Sequence, residues 1–282
     1  MSLRLPKYHG LGNDYFVLDP NEFPLQLTPD LVRRICDRHT GAGSDGILQG
    51  PFLPQSQDFK KLCGGATARF AVRIWNPDAS EAEKSGNGAR IFTQYLYDRG
   101  LVRQNEPFPF ATLGGIVTAT VLEPFKAIQC QMGHIQFEHP DFPAMQEGTE
   151  IQLQGQVLRY CPVSVGNPHC VVLNAEVSQE TALKFGPLLE NAPRFPHRIN
   201  VQFLQVLDEH NIRIEIWERG AGYTLASGTS SCASAAAAIR NRFCASPVTV
   251  HAPGGNLVVE IDKNWEARLT GPVAFVYTAI WP

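Results

Sequence analysis

The chain has 282 residues, of which 44% are hydrophobic and 18% are charged, and its formal net charge is -3. These values are typical of a globular protein with one large or two modest domains, and they indicate neither a nucleic-acid nor a membrane partner. The longest apolar run, near 233–239, is too short to span a bilayer. Because the N-terminus also lacks an apolar signal core, we expect a cytoplasmic protein.

Four segments carry helix start signals. Thr28 is predicted to cap a helix with Pro29 in its first turn, and Ser178 precedes a second helix. Ser85 precedes a third, with Gly100 as its stop signal, and Ser227 precedes a fourth that is rich in small residues. Alternating or β-branched runs predict strands at 115–122, 151–160, 169–173, 212–217 and 256–262.

The chain repeats itself after 142 residues. The tetrad SGNG at 85–88 recurs in altered form as SGTS at 227–230, each time before a predicted helix. Further matches keep the same order: Asn76 and Glu218, each nine residues before its serine, and the Gly-Asn steps at 12–13 and 166–167. Chance recurrence in a glycine-rich chain would not preserve this order, so we interpret the halves as a duplication.

We therefore predict an α+β fold with two pseudo-symmetric domains, each a curved mixed or antiparallel sheet around a central helix. We place the domains at 1–124 with 268–282, and at 125–267, with the active site in the cleft between them. The seven cysteines are scattered, without a C-x-x-C pair or metal-ligand spacing. We expect buried thiols rather than disulfides, and no metal site.

The paired motifs suggest a chemistry. A helix start offers free backbone N–H groups and partial positive charge, which bind carboxylates. A substrate carboxylate would be held near Gly86, Asn87, Gly228 and Thr229. The hydroxyls of Ser85 and Ser227 would then lie on two faces of its α-carbon, where one could remove a proton and the other return one. No pyridoxal Schiff-base apparatus is evident, so we expect no cofactor.

Six blocks resemble the diaminopimelate epimerase family and occur in that family's order. They are HGLGNDYFVLD at 9–19, SDGILQ at 44–49, WNPDASEAEKSGNGARI at 75–91, VGNPHCVV at 165–172, FPHRINVQF at 195–203 and WERGAGYTLASGTSSCA at 217–233. The resemblance implies cofactor-independent interconversion of LL- and meso-diaminopimelate, a step toward lysine and peptidoglycan. It also implies a small-molecule amino-acid substrate and a homodimer.

The resemblance also implies substrate contacts at matched positions: Asn13, Gln49, Asn76, Asn167, Asn200, Glu218 and Arg219. Arg219 suits the distal carboxylate of a diacid diamine. Glu218 and the asparagine oxygens suit its ammonium groups.

The departures from the family pattern concern the chemistry itself. Ser85 and Ser227 stand where that pattern has two acid/base cysteines, and Tyr223 stands where it usually has glutamate. A hydroxyl is a far weaker acid than a thiol, so it needs activation. His169, Asp14 and Tyr223 are candidate helpers.

Three explanations stay open. The serines act with help from neighbours, the protein has a similar substrate but altered or lost chemistry, or the serines are engineered replacements. The change at Tyr223 favours a natural subgroup. The corresponding functions are an active epimerase, an isomerase of altered substrate, and an inactive amino-acid binding homologue.

Overall fold

The computed structural model describes residues 3–23, 25–142 and 149–281, which form five helices and 18 strands. Up to residue 134 these are β1 (Leu3–Gly10), β2 (Asn13–Leu18), α1 (Pro29–Cys36), β3 (Ile47–Phe52), α2 (Gln57–Cys63), β4 (Phe70–Trp75), β5 (Glu81–Ala82), α3 (Gly86–Asp98), β6 (Phe108–Thr112), β7 (Gly115–Glu123) and β8 (Ala127–His134). From residue 150 they are β9 (Glu150–Leu153), β10 (Gln156–Ser164), β11 (Pro168–Val172), α4 (Gln179–Glu190), β12 (Asn200–Asp208), β13 (Asn211–Glu218), β14 (Gly222–Thr224), α5 (Gly228–Arg240), β15 (Val248–Ala252), β16 (Gly255–Ile261), β17 (Glu266–Gly271) and β18 (Ala274–Trp281).

The chain forms two compact units. The first comprises Met1–Cys130 with Gly271–Pro282, and the second comprises Gln131–Thr270. None of the helices in the described ranges is long and apolar enough to cross a membrane. The few helices and many strands confirm the predicted α+β class.

Strand pairing repeats between the units. In the first unit β1–β2, β3–β4, β4–β5 and β6–β7 are antiparallel, whereas β2–β3 and β4–β6 are parallel. In the second unit β10–β11, β12–β13, β13–β14 and β15–β16 are antiparallel, whereas β11–β12 and β13–β15 are parallel. The duplication inferred from the sequence is therefore confirmed. Helix α2 lies in a long β3–β4 connection, while β12 and β13 join through a short turn.

Each unit buries a helix against its strands. Helix α3 places Ile91, Phe92, Tyr95 and Leu96 in the core of the first unit. The alanine-rich segment of α5 is fully buried at 235–238, as its small side chains predicted, because close-packed neighbours leave room only for methyl groups. Helix α1 faces a separate cluster that includes Val32, Ile35 and Cys36.

The predicted helix starts are confirmed. The side chains of Thr28, Ser85, Ser178 and Ser227 each accept a hydrogen bond from the backbone N–H three residues further on. Helix α3 ends at Asp98, and Gly100 adopts a φ of +67° beyond it, which confirms the stop signal.

One strand prediction is wrong. The run at 151–160 is not a single strand, since β9 and β10 form an antiparallel hairpin in which Leu153 pairs with Gln156. Gln154 and Gly155 form its two-residue turn, with φ of +47° and +78°. This turn requires left-handed backbone, which the Gln-Gly step adopts here. The sequence pattern did not reveal the turn, because these two residues leave the alternation of apolar and polar side chains unbroken. The other predicted strands, at 115–122, 169–173, 212–217 and 256–262, match β7, β11, β13 and β16 within one residue at each end.

Candidate active site

The two serines of the repeated tetrads occupy the same local structure. Ser85 and Ser227 are N-caps of 13-residue helices, with φ/ψ of -144°/119° and -145°/129°. Ser85 Oγ accepts from the Gly88 N–H at 3.0 Å, and Ser227 Oγ accepts from the Ser230 N–H at 3.4 Å. Each hydroxyl therefore lies at the positive end of a helix, where negative charge on it or on a bound group is stabilised.

Glycine at position 88 fits this geometry because the helix start is tightly packed. A Cβ atom there would lie 3.2 Å from Ser85 Oγ and 3.1 Å from Cδ2 of Leu48. Any larger residue would push the hydroxyl or the β3 side chain aside, so the glycine sets the position of the cap.

Beside Ser85, a side-chain network joins β2 to the first turn of α3. Asn87 Nδ2 donates to Asn13 Oδ1 at 3.1 Å, and the Arg90 guanidinium donates to Asn87 Oδ1 at 2.8 Å and to the Gly86 carbonyl at 3.2 Å. Arg90 is fully buried. A fixed positive charge therefore lies one turn from the Ser85 cap, which favours an anion there. Arg90 was not among the residues predicted from the sequence, although its spacing of three residues from Asn87 places the two side chains in contact on a helix.

Asp14 is held in an ionic cluster. Its carboxylate accepts from Lys7 Nζ at 2.5 Å and from Arg38 at 2.6 Å, and the same guanidinium reaches Asp45 at 2.7 Å. Burial would raise the pKa of Asp14, but the hydrogen bonds from Arg38 and Lys7 outweigh it and lower the pKa to about 2. Asp45 in turn accepts from Asn13 Nδ2 at 3.0 Å, so the cluster positions the Asn13 amide.

Gln49 and Asn76 lie along the β3–β4 pair. The Trp75 indole donates to Gln49 Oε1 at 3.0 Å, and Asn76 donates from its side chain to Ser80 Oγ at 2.9 Å. Both residues are half-buried. Among the described contacts, neither the Gln49 nor the Asn76 side chain contacts Ser85. The structure therefore places these two residues near one another, but it shows no contact between them and the N-cap of α3.

A carboxyl group lies beside Ser227. It belongs to Glu218, the last residue of β13, and it is close enough for the Ser227 hydroxyl to affect its pKa. Burial raises the pKa of Glu218, and the hydrogen bond from Ser227 offsets only part of that effect. Thr229 Oγ1 lies 3.5 Å from Ser227 Oγ, and the Ser231 hydroxyl donates to the Ser227 carbonyl at 2.9 Å. The predicted residues Ser227, Glu218 and Thr229 are thus brought together.

The turn that carries Arg219 is fixed from two sides. Asn200 Oδ1 accepts the Arg219 backbone N–H at 3.0 Å, and Glu190 accepts from the Gly220 N–H at 2.9 Å. Glu190, at the end of α4, is 5% exposed and also pairs with Arg198 at 3.1 Å. Glu190 was not among the residues predicted from the sequence, because nothing near position 190 indicates which distant turn it contacts.

Asn167 and His169 form a pair on the second Gly-Asn loop. His169 Nε2 lies 3.0 Å from Asn167 Oδ1. Burial lowers the pKa of His169 to about 3, so the ring is neutral at physiological pH. In the parallel β11–β12 pairing His169 lies opposite Asn200, the first residue of β12, so Asn167, which immediately precedes β11, lies near the start of β12.

The helper residues proposed for the serines have other partners. Asp14 is committed to Lys7 and Arg38, His169 to Asn167, and the Tyr223 hydroxyl donates to buried Glu215 at 2.8 Å. In the described contacts the side chains near the serine hydroxyls are Glu218 and Thr229 at Ser227, with Thr229 at 3.5 Å, and Tyr15 at Ser85, at 3.4 Å. The correction has a simple cause, since strand register rather than sequence proximity decides which side chain meets each cap.

All seven cysteines lie in the described ranges, where each is buried and none forms a disulfide, as predicted. Within those ranges no group of three or more His, Cys, Asp or Glu side chains could hold a metal ion.

Sequence comparison gives a consistent result. The family model described as diaminopimelate epimerase matches residues 5–138 and 161–276. A protein named diaminopimelate epimerase 2 from Nostoc sp. is 45% identical over 276 residues, which cover 96% of this chain and 93% of that protein. A diaminopimelate epimerase from Desulfitobacterium hafniense is 36% identical, with 99% and 98% of the two chains covered.

Comparison with solved structures supports the fold alone, since the identities are low. A hydroxyproline epimerase from Agrobacterium vitis superposes with a TM-score of 0.68 at 14% identity, covering 99% of this chain and 92% of that one. A PhzF-family phenazine biosynthesis protein from Bacillus anthracis gives 0.67 at 14% identity, covering 100% and 99%.

Proposed function

The chain belongs to the diaminopimelate epimerase family, and we propose on that premise that it interconverts LL- and meso-diaminopimelate without a cofactor. The enzyme class is an isomerase of the epimerase type. The reaction is a 1,1-proton transfer, in which one group removes the α-hydrogen and another returns a proton to the opposite face.

The observation that carries this proposal is the matched pair of capping serines. Each unit has one such serine at the N-cap of its central helix, and the two serines have nearly the same backbone angles and the same type of cap hydrogen bond. Inversion at one carbon requires two acid/base groups that can each approach that carbon, and we assign these roles to the two capping serines. The mechanism requires both hydroxyls to approach one α-carbon.

The helix starts also stabilise the intermediate. Removing the α-hydrogen puts negative charge onto the substrate carboxylate, and backbone N–H groups near Gly86, Asn87, Gly228 and Thr229 would hold that carboxylate. Because these donors are fixed before the reaction, they need no reorganisation as the charge grows. The buried Arg90 guanidinium adds a positive charge beside the first helix start.

A serine pair faces a larger barrier than a cysteine pair. If a hydroxyl is about five pKa units weaker than a thiol, its ionisation costs about 7 kcal/mol more. The Glu218 carboxylate offsets this on one side: as the Ser227 oxygen takes the α-proton, the Ser227 O–H proton passes to Glu218. Burial of Glu218 makes it a stronger base than an exposed carboxylate, since its pKa is raised.

The remaining polar residues would bind the rest of the substrate. Arg219, with its backbone fixed by Asn200, would bind the distal carboxylate. The side-chain oxygens of Asn13, Asn76 and Asn167, together with Gln49, would accept from the ammonium groups. Each assignment can be tested by measuring the binding of diaminopimelate to the corresponding alanine variant.

The decisive experiment measures hydrogen exchange. The purified protein is incubated with LL-diaminopimelate in heavy water, and deuterium at the α-position is followed together with the appearance of the meso isomer. We expect both, each lost in Ser85→Ala and Ser227→Ala. Exchange no faster than in a protein-free control would contradict the proposal.

The serine pair itself favours a second candidate, an amino-acid binding protein without catalysis. It predicts calorimetric binding of diaminopimelate with no deuterium incorporation. A Ser85→Cys/Ser227→Cys variant separates the candidates further. If only the acid/base pair is weak, this variant gains activity, whereas a site that lacks the proper substrate geometry stays inactive.

We further propose a cytoplasmic homodimer. The buried thiols suit a reducing compartment. For the dimer, β18 leaves large apolar side chains 40–60% exposed at Phe275, Val276, Tyr277 and Ile280. Exposed large apolar side chains are typical of a protein–protein contact, and a second copy of this chain is the occupant we propose.

A further inference from the structure

Tyr15 lies next to Ser85 and has no role in the mechanism so far. Its hydroxyl is 3.4 Å from Ser85 Oγ, although the two residues are 70 positions apart in the chain. Tyr15 belongs to β2 and is 6% exposed. A buried phenol normally has polar neighbours, and the hydroxyl of the capping Ser85 is one of them here.

The ring position is fixed by close packing. A Cβ atom at Gly46 would lie 2.6 Å from Cε1 of Tyr15, so the backbone at position 46 runs directly against the ring. On the other side of the hairpin, the antiparallel β1–β2 register places Tyr15 opposite Tyr8. The phenol therefore has little freedom to leave Ser85.

The two caps have different acidic partners. Ser227 lies beside a carboxyl group, whereas Ser85 lies beside a phenol. Because a carboxyl group gives up its proton far more readily than a phenol, the first partner suits the role of base and the second that of acid. Inversion needs one deprotonated and one protonated acid/base group. The different neighbours would make one serine the base and the other the acid, although the two serines themselves are identical.

We propose that Tyr15 is a positioning residue whose phenol hydrogen-bonds Ser85 and relays the proton that this serine exchanges with the substrate α-carbon. The inference rests on the proposed epimerase activity. When Ser85 protonates the carbanion, its O–H bond breaks as the C–H bond forms. The phenol O–H proton moves to the serine oxygen, and water reprotonates the phenolate.

In the opposite direction, the phenolate takes the Ser85 proton as the serine oxygen takes the α-hydrogen. Before this step the negative charge rests on a phenolate rather than on an alkoxide, and during the step it passes to the substrate carbanion. A phenolate forms far more readily, because the reference pKa of tyrosine is about 10 while that of an alcohol is several units higher. A phenylalanine at position 15 would fill the same space and provide no relay.

The first test does not depend on activity. Ser85→Cys introduces one accessible thiol against seven buried ones, and its alkylation rate by iodoacetamide across neutral and alkaline pH reports its pKa. A phenol that donates to the thiolate lowers that pKa, so adding Tyr15→Phe should raise it by about one unit. An unchanged pKa would overturn the proposal.

Tyr8→Phe is the matched control in the same Ser85→Cys background. It also removes a buried hydroxyl from the β1–β2 hairpin, but that hydroxyl donates to Asp98 at 2.8 Å. We expect no change in the thiol pKa with this control. An equal shift in both variants would mean that hairpin packing, not the Tyr15 hydroxyl, sets the thiol pKa, and would refute the relay.

The second test uses the active enzyme. Tyr15→Phe should lower kcat about 10- to 100-fold with little change in KM, since proton transfer rather than binding is affected. A Ser85→Cys/Tyr15→Phe variant should regain the kcat of Ser85→Cys, because a thiol needs no relay. The same loss in both backgrounds would refute the relay. Failure of the proposed function itself is recognised separately, as absence of exchange in the unmodified protein.

Discussion

The indole Nε1 of Trp217 donates a hydrogen bond of 2.7 Å to Oε2 of Glu190, although the two residues are 27 positions apart. The same carboxylate accepts from the Gly220 N–H and pairs with Arg198. One buried side chain thus holds the turn that carries Glu218 and Arg219. The distal half of the candidate site depends on the end of α4.

Glu190→Gln should therefore loosen this turn. The amide has one acceptor oxygen, so at least one of the donors at Trp217, Gly220 and Arg198 loses its partner. We expect the free energy of unfolding to fall by about 2 kcal/mol, measured by urea denaturation, and KM to rise. Glu180→Gln is the control on the same helix, since Glu180 is exposed. Equal effects of the two changes would contradict this role.

Asp14 should make stability depend on acid pH. Its folded pKa of about 2 lies below the unfolded value of 3.8. The folded state therefore binds the proton less well, and the stabilisation is present above the unfolded pKa and lost as pH falls toward 2. We expect about 2 kcal/mol to disappear between pH 5 and pH 2.

The measurement is urea unfolding of the wild type and Asp14→Asn at several pH values. The two should differ most near neutral pH and converge at pH 2. Asp30→Asn serves as the control, because Asp30 is almost fully exposed. A gap between the wild type and Asp14→Asn that stays constant across the range would contradict the assignment.

Arg219→Lys should weaken substrate binding more than turnover. Lysine keeps the charge but loses the planar fork that binds a carboxylate through two hydrogen bonds. We expect KM to rise about 10- to 100-fold and kcat to change less. Arg213→Lys on β13 is the matched control, since that guanidinium is exposed. An unchanged KM for Arg219→Lys would remove this residue from the proposed binding set.

Ile280→Asp should dissociate the proposed homodimer. It places a charge among the exposed apolar side chains of β18, where Ile280 is 60% exposed. We expect sedimentation analysis to show a dimer for the wild type and a monomer for the variant, with little loss of monomer stability. Leu183→Asp, at another exposed apolar position, should leave the dimer intact. A monomeric wild type would refute the dimer outright.

Local signals in the sequence account for the elements that it predicted correctly. The N-caps Thr28, Ser85, Ser178 and Ser227 act through a backbone N–H three residues away, so a short window contains the whole interaction. The duplication is visible for the same reason, since both copies keep the cap and the glycine beside it. The hairpin formed by β9 and β10 was not predicted, because Gln154 and Gly155 do not interrupt the alternation of apolar and polar residues that predicts a single strand.

The fold class, the repeat and the two capping serines can be predicted from the sequence, because capping and strand alternation involve residues close together in the chain. The side chain that meets each serine is fixed by tertiary contacts instead. Tyr15 reaches Ser85 and Glu218 reaches Ser227 through strand pairing, whereas Asp14, His169 and Tyr223 are held by other partners. Such contacts depend on register and on packing between distant segments, and no local pattern encodes them.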